Sequence, residues 1–229
     1  MMNLILFILA AILIIGGLYY WLVVVTEGVF LGRRVVVWLY DITAHKYDRI
    51  KEFDAEAEQF FVIRPLLRQL RHIPAPRILD VATGTGRLPW FLLHEPSFHG
   101  RVIGLDASAG MLREAAQKLR PFHHRASLVQ QTADHLPFPA HTFDAVTCLE
   151  ALEFFPSDIQ ALQEMVRVLR PGGILMVTRR CGREAKTFLH HHHSPTQFEA
   201  ILTRLGLTNI QTRPWQLDYD LVIATRPAI

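Results

Sequence analysis

The chain begins with a long apolar segment, and this segment constrains the possible folds more than any other feature. Residues 4–25 read LILFILAAILIIGGLYYWLVVV without a charged side chain, and the first charged residue is Glu27. A helix of this length extends roughly 33 Å at ~1.5 Å per residue, enough to cross the hydrocarbon core of a bilayer. Two tyrosines and a tryptophan lie near its C-terminal end, where such rings favour lipid headgroups. We therefore expect residues 1–27 to form a transmembrane anchor.

Two other interpretations of this segment stay open, a cleaved signal peptide and a buried helix. A signal peptide needs a basic N-terminal region and a cleavage site with small residues. Residues 1–3 contain no basic side chain, and residues 22–25 offer no such site. Beyond the segment, Arg33 and Arg34 predict through the positive-inside rule that the rest of the chain faces the cytoplasm. The sequence favours a single-pass membrane protein with its main domain in the cytoplasm.

Two further regions follow the expected anchor. Residues 28–53 contain a second apolar run, 35–40, which is too short to span a bilayer. We expect this run to lie on the membrane interface or against the following domain. Residues 54–229 form that domain. A net charge of +3 without a basic run argues against a nucleic-acid partner, and two cysteines exclude a disulfide scaffold.

Short apolar runs alternate with stretches of helical periodicity through residues 54–229. This alternation predicts an α/β fold with a doubly wound, mostly parallel sheet and helices on both faces. Ligands of such sheets bind outside the carboxyl ends of the strands. The predicted strands are 77–81, 101–105, 126–130, 143–148, 174–178, about 208–213 and about 217–225, and the predicted helices are 54–70, 111–119, 157–169 and 194–206.

Local signals support the helix boundaries. Ser157 with Gln160 and Ser194 with Gln197 each match a capping box at a helix start. Residues 171–173 read Pro-Gly-Gly, and we expect them to separate a helix from the strand that follows.

A glycine-rich turn, DVATGTG at 80–86, follows the first predicted strand. Its glycines allow the backbone to approach a ligand closely. Asp106 ends the second strand, twenty residues after Gly86, where a carboxylate can accept both hydroxyls of a ribose. The dinucleotide-binding pattern is incomplete, because Pro89 replaces its third glycine. The carboxylate of Asp80 at the turn disfavours a pyrophosphate and favours the cationic amino-acid end of S-adenosylmethionine.

Four segments carry a more specific resemblance. ILDVATGTGRLP, IGLDASAGML, TADHLPFPAHTFDAVTCLEALEFFP and LRPGGILMV occur in this order. They resemble the motifs of class I S-adenosylmethionine-dependent methyltransferases over roughly residues 40–226. Ala82 in the turn is similar to the A-x-G-T-G turn of the menaquinone/ubiquinone C-methyltransferases. The resemblance implies a Rossmann-like sheet of seven strands with an antiparallel last strand, and S-adenosyl-L-methionine as the cofactor.

The resemblance also implies roles for single residues. The residues expected to bind the cofactor are Asp80, Ala82, Thr83, Gly84 and Gly86 at the methionine moiety, Asp106 at the ribose, Ala107 and Met111 beside the adenine, Asp134 at the adenine amino group with His135 stacked nearby, and Cys148 at the border of the methyl-transfer site.

Residues 40–48 resemble the family's N-terminal lid, whose tyrosine closes over the cofactor, and Tyr47 takes that position. A base is needed only if the acceptor must lose a proton. Candidates for a catalytic role are Tyr47, Glu150 and Glu153, and the sequence does not decide among them.

The sequence departs from the quinone enzymes in two places. Arg87 stands where they have an aspartate, and ALEFF at 151–155 occupies the position of their G-L-R-N segment. These departures argue against a quinone and leave an apolar small molecule or a lipid as the expected acceptor, with the membrane as a partner. The open alternatives are an NAD(P)-dependent oxidoreductase and a non-catalytic cofactor-binding protein.

The run of histidines at 190–193 raises the question of a metal site. Four consecutive histidines cannot all face one ion, and no cysteine or histidine spacing nearby supplies further ligands. We expect a polar loop before the helix at Ser194 and no bound metal.

Overall fold

The structure, a computed structural model, describes residues 2–188 and 191–228. An apolar helix comes first, a second helix follows it, and the remaining elements form an α/β domain. The helices are α1 (Met2–Tyr20), α2 (Arg33–Lys51), α3 (Ala55–Glu58), α4 (Arg64–Leu70), α5 (Arg87–His94), α6 (Ala109–Lys118), α7 (Asp158–Val168) and α8 (Pro195–Arg204). The strands are β1 (Arg77–Val81), β2 (Arg101–Asp106), β3 (Ala126–Gln130), β4 (Phe143–Cys148), β5 (Leu169–Arg180), β6 (Thr208–Pro214) and β7 (Tyr219–Thr225).

The apolar segment is helical throughout. Helix α1 continues into a π-helical turn at Trp21–Val25, and the span Asn3–Val25 has a mean hydropathy of 2.5. None of its most apolar window is buried against the rest of the chain. A helix that is apolar all round and packs against nothing has the character of a membrane span. By length and composition, α1 with this turn is thus able to cross a bilayer.

The seven strands form one sheet in the order β3-β2-β1-β4-β5-β7-β6. Strand β7 pairs antiparallel with both β5 and β6, and the other neighbours pair in parallel. The expected seven-stranded sheet with an antiparallel last strand is confirmed, so the sheet is mixed. The chain order reverses between β1 and β4, and this switch point opens a cleft at the carboxyl ends of these strands.

Two details of the predicted elements were wrong. Residues 171–173 do not separate helix from strand, because β5 already begins at Leu169, which pairs with Phe143; the ladder resumes at Ala145 and Ile174 after a register shift. Ser157 caps α7, but the side chain of Gln160 donates to the carbonyl of Asp134 rather than completing a capping box.

Other boundaries agree with the sequence patterns. The capping box of Ser194 and Gln197 is complete at the start of α8. The predicted helix 54–70 is observed as α3 and α4 joined by a π-helical turn at Gln59–Ile63, with Asp54 as the N-cap.

The apolar run 35–40 lies within α2, and α2 packs against the domain. Asp41 Oδ1 accepts hydrogen bonds from Ser108 Oγ at 2.6 Å and from the Gly110 amide at 2.7 Å. A Cβ at Gly110 would lie 2.7 Å from the Asp41 carbonyl oxygen, so this close approach requires glycine. Helix α2 therefore lies against the N-terminus of α6, beside the cleft.

Candidate functional site

The main cleft lies at the carboxyl ends of the central strands and contains about 820 Å³ of open space. Helix α2 forms one wall, and the loops after β1, β2, β3 and β4 form the others. Its lining includes Arg33, Val36, Val37, Tyr40, Tyr47, Ala82, Gly84, Asp106, Ala107, Met111, Asp134, Glu150, Phe154 and Phe155.

The glycine-rich turn brings the backbone to the edge of this cleft. Ala82, Gly84 and Gly86 all have positive φ, at 56°, 55° and 78°. This left-handed conformation is unfavourable for an alanine and easy for a glycine. A tight turn therefore separates β1 from α5, with the amide groups of the turn near the open space.

Asp106 braces the turn from the neighbouring strand. Its Oδ2 accepts from the Gly84 amide at 2.8 Å, and its Oδ1 accepts from the Ser108 amide at 2.8 Å. Burial raises the pKa of Asp106 above its ordinary value, although these amide bonds oppose the shift. The carboxylate thus links the turns after β1 and β2 and also faces the main cleft.

Asp80 lies beneath the turn and is buried. It accepts from Thr83 Oγ1 and from Thr147 Oγ1, both at 2.7 Å. Burial raises the pKa of Asp80 to about 6, because the two hydroxyl bonds compensate the loss of water only in part. A cationic group placed here would restore the ionised carboxylate.

A second, smaller cleft adjoins the first. It is lined by Asp80, Thr83, Thr85, Arg87, Phe53 and Leu88, and it shares Tyr47, Ala82, Gly84 and Leu149 with the main cleft. The two spaces therefore meet at the glycine-rich turn. Their chemistry differs, since charged and hydroxyl groups surround the small cleft and apolar side chains dominate one side of the large one.

Arg87 is the centre of a buried ion cluster between the two clefts. Its Nη2 lies 2.9 Å from Glu150 Oε1, and its Nη1 lies 3.4 Å from Glu58 Oε1. The guanidinium also lies over the ring of Phe53, 4.2 Å from the centroid. Burial alone would raise the pKa of Glu150, but Arg87 and then Lys51 outweigh it and lower that pKa. Glu150 is thus held as a carboxylate.

At the opposite end of the main cleft, Arg33 pairs with Asp134. Arg33 Nη1 donates to both carboxylate oxygens of Asp134, at 2.9 and 3.2 Å. Arg33 is the first residue of α2, so this pair fastens the start of α2 to the loop after β3.

The sequence-predicted residues divide into two groups. The clefts are lined by Tyr47, Asp80, Ala82, Thr83, Gly84, Asp106, Ala107, Met111, Asp134 and Glu150. Neither cleft is lined by Gly86, His135, Cys148 or Glu153.

Each of these four exceptions has a physical reason. Gly86 packs on α6, where a Cβ would be 3.1 Å from Leu119. His135 is exposed, and the Cys148 side chain points into the core below the sheet edge. Glu153 is buried against Tyr219 and Arg180, so it does not face the cleft as the candidate role required.

The sequence reasoning missed Arg33, Tyr40 and Arg87 as site residues. Tyr40 lies in the cleft wall, and its hydroxyl donates to Glu27 Oε2 at 2.6 Å. The spacing of Arg33, Val36, Val37, Tyr40 and Tyr47 on one helix face was the available signal, because these positions recur every three or four residues.

His191 and His193 of the histidine run lie beside α7. His193 Nε2 is 2.6 Å from Asp158 Oδ2, and His191 Nδ1 is 3.7 Å from Asp158 Oδ1. His190 lies outside the described residues. Within residues 2–188 and 191–228, no group of three or more His, Cys, Asp or Glu side chains is placed to hold a metal ion.

Known proteins resemble this chain in sequence. A sequence model of the methyltransferase domain matches residues 78–173. A demethylmenaquinone methyltransferase from Lactiplantibacillus plantarum is 36% identical over 140 residues, covering 60% of this chain and 59% of the relative. A ubiquinone/menaquinone biosynthesis C-methyltransferase from Syntrophotalea carbinolica is 36% identical over 142 residues, covering 61% and 58%. The matches thus span less than two thirds of these curated relatives.

A solved structure supports the fold. The crystal structure of an S-adenosylmethionine-dependent methyltransferase from Aquifex aeolicus aligns with a TM-score of 0.63 at 18% identity. The alignment covers 81% of this chain and 98% of that chain. At this identity the likeness establishes the shared architecture of sheet and helices.

Proposed function

We propose that the chain is a class I S-adenosylmethionine-dependent methyltransferase that transfers a methyl group from S-adenosylmethionine to a small apolar or lipid-associated acceptor at the membrane, and the matched methyltransferase domain, the similar relatives and the shared fold support this proposal. Residues 1–27 act as the anchor, residues 28–53 as an interfacial segment and lid, and residues 54–229 as the methyltransferase domain.

The two clefts suit the two halves of the cofactor. The adenosine half is assigned to the main cleft, with Asp106 at the ribose and Asp134 near the adenine. The amino-acid half is assigned to the small cleft, where Asp80 would hold the ammonium group. Ala82, Gly84 and Tyr47 line both clefts and would hold the part of the cofactor that carries the methyl group.

The observation that carries the acceptor class is the apolar end of the main cleft. Val36, Val37, Tyr40, Phe154 and Phe155 line this end. Burying an unpaired charge there would cost several kcal/mol, which disfavours charged acceptors. Val36, Val37 and Tyr40 belong to α2, and only residues 26–32 separate α2 from the apolar helix and its π-helical turn. A lipid-dissolved acceptor therefore has a short route to the cleft.

The printed names of the relatives refer to demethylmenaquinone, ubiquinone and menaquinone. In this chain the resemblance to the quinone enzymes breaks at Arg87, which forms a buried pair with Glu150. We therefore assign the acceptor to the broader class of apolar, membrane-dissolved molecules.

Methyl transfer from a sulfonium is an in-line displacement, and alignment of acceptor and methyl group supplies much of the catalysis. The apolar wall and Tyr47 position the acceptor next to the sulfonium. Glu150 acts as a fixed negative charge, because Arg87 and Lys51 keep its pKa low. Glu153 is buried and accepts a hydrogen bond from the Tyr219 hydroxyl, so we assign it no part in the transfer.

The nicotinamide alternative is not favoured. A pyrophosphate at the glycine-rich turn would face the Asp80 carboxylate, and Pro89 lies within α5 where the dinucleotide pattern has its third glycine.

The test is transfer of labelled methyl groups by the full chain in vesicles that contain a bacterial total-lipid extract. We expect label in the organic phase after extraction, and we expect Asp106→Asn to remove it. Label confined to water-soluble acceptors would contradict the proposed acceptor class, and no transfer to any acceptor would contradict the activity.

A further inference from the structure

We propose that the outer face of α2 is a lipid-binding surface that lies on an anionic bilayer and holds the cleft next to it. The inference rests on the membrane attachment in the proposed function, and it adds a second contact between protein and lipid that the apolar helix does not provide.

The outer face is a stripe along the whole helix. Its residues recur at spacings of four, four, three and four, so they lie on one side of α2. They are Arg34, Trp38, Ile42, His45 and Arg49, and all five are exposed. Trp38 and Ile42 leave 57% and 49% of their surface in solvent. Basic groups around an exposed tryptophan and isoleucine are the composition of an interfacial helix.

The two acidic residues of α2, Asp41 and Asp48, lie at the edge of the stripe, and both carboxylates bond to the domain. Asp41 bonds to Ser108 and Gly110, and Asp48 bonds to Thr85 and Lys118. Lys46, next to the stripe, adds a further exposed positive charge. Because both carboxylates are paired with groups of the domain, the remaining charges along the outer face are positive, and this face complements anionic lipid headgroups.

The stripe begins beside the point where the apolar helix ends. The turn after Trp21–Val25 packs onto the first half of α2, since a Cβ at Gly28 would lie 3.0 Å from Leu39 and 3.1 Å from Val35. Val35 and Leu39 lie one turn apart on one side of α2, and Trp38 lies three residues from Val35 on the neighbouring side. Trp38 is thus within about one helix diameter, ~10–12 Å, of the chain's exit from the bilayer.

The opposite face of α2 forms the wall of the main cleft through Val36, Val37 and Tyr40. If the outer face lies on lipid, only the thickness of one helix, roughly 10–12 Å, separates the bilayer from the cleft. An acceptor would then reach the cleft without crossing bulk water.

The experiment measures quenching of a bimane label by lipid-borne spin labels, with the full chain in vesicles. One label is placed at Trp38→Cys on the stripe and one at Leu13→Cys in the apolar helix. A third is placed at Ala200→Cys on the exposed side of α8. The unsubstituted chain gives the background from Cys148 and Cys181. Vesicles contain either phosphatidylcholine alone or phosphatidylcholine with 30% phosphatidylglycerol.

We expect quenching at positions 13 and 38, no quenching at position 200, and at least a twofold increase at position 38 when the anionic lipid is present. Replacing Arg34, Lys46 and Arg49 together by glutamine should abolish that increase. The matched control replaces three arginines away from the cleft. Arg101 begins β2, Arg120 follows the C-terminal end of α6, and Arg204 ends α8. This control should keep the increase.

Quenching at position 13 without quenching at position 38 would overturn the inference and leave the anchor intact. Absence of quenching at both positions would contradict the membrane attachment itself. Shielding of position 38 only when a soluble acidic protein is added would assign the stripe to a protein partner and would also overturn the inference.

Discussion

The hydroxyl of Tyr40 donates a 2.6 Å hydrogen bond to Glu27 Oε2, and this bond connects the cleft wall to the turn that follows the apolar helix. Tyr40 is half-buried, and its ring packs edge-on against Phe154, 6.0 Å between centroids. Burial and then the charge of Glu27 raise the pKa of Tyr40, so the hydroxyl stays protonated and the bond persists at all physiological pH values.

Tyr40→Phe should therefore destabilise the protein by about 1.5–3 kcal/mol, the range for a hydrogen bond to a charged group. The measurement is thermal unfolding of the full chain in detergent. Tyr47→Phe is the matched control, because the Tyr47 hydroxyl has no hydrogen-bond partner among the described side chains. Equal stability of the two variants would show that the Tyr40–Glu27 bond contributes nothing.

Asp106→Asn should weaken the binding of S-adenosylhomocysteine at least tenfold, which corresponds to about 1.4 kcal/mol. The variant removes the negative charge that would accept hydrogen bonds from the ribose. Asp144→Asn is the matched control, since Asp144 is also buried and accepts a backbone amide, from Arg77 at 2.6 Å. Asp144 is the second residue of β4, at the amino ends of the parallel strands and outside both clefts, so its variant should retain the affinity. Equal losses in both variants would remove Asp106 from the site.

Cofactor affinity should depend on pH through Asp80, whose pKa is raised to about 6 by burial. A bound ammonium group favours the ionised carboxylate, so affinity is complete above pH 6 and falls by up to tenfold per unit as pH decreases below 6. Titration calorimetry from pH 5 to 7.5 measures this, and Asp80→Asn should make the profile flat. A flat profile in the unsubstituted protein would place the ammonium group elsewhere.

The stability of the unliganded protein should respond to Asp80 in the opposite direction. The folded-state pKa is above the ordinary value of 3.8, so the folded protein binds more protons between pH 4 and 6. The contribution of Asp80 to stability is therefore complete at low pH and is lost as pH rises through 6. Comparing unfolding of the unsubstituted chain and Asp80→Asn across this range isolates the effect.

Ala82→Gly should stabilise the protein by up to about 1 kcal/mol, because alanine at φ 56° pays a steric cost that glycine avoids. Ala82→Val should destabilise it by more, since a branched Cβ is worse in the left-handed region. Thermal unfolding of both variants tests the turn geometry. Greater stability of the valine variant would mean that this backbone conformation is not adopted.

The sequence predicted the sheet well because its signals are local. Runs such as Arg77–Val81 and Phe143–Cys148 are short, apolar and bounded by turn residues, and both strands have the predicted bounds. The sequence also predicted that Asp80 and Asp106 lie at the site, since the carboxyl ends of the strands meet at one edge of a parallel sheet.

The rest of the site depends on contacts between distant parts of the chain. The ion pairs of Arg33 with Asp134 and of Arg87 with Glu150 form only when α2 and the strands pack together. No local sequence pattern predicts either pair. The burial of Glu153 could not be predicted for the same reason, because its partner Tyr219 follows 66 residues later.

The most direct test of the account is equilibrium binding of S-adenosylhomocysteine and of NADH to the full chain in detergent, measured by titration calorimetry. The account predicts saturable binding of S-adenosylhomocysteine at one site per chain, at least tenfold weaker binding in Asp106→Asn, and no heat of binding from NADH. Saturable binding of NADH, or the absence of S-adenosylhomocysteine binding in a folded protein, would contradict it.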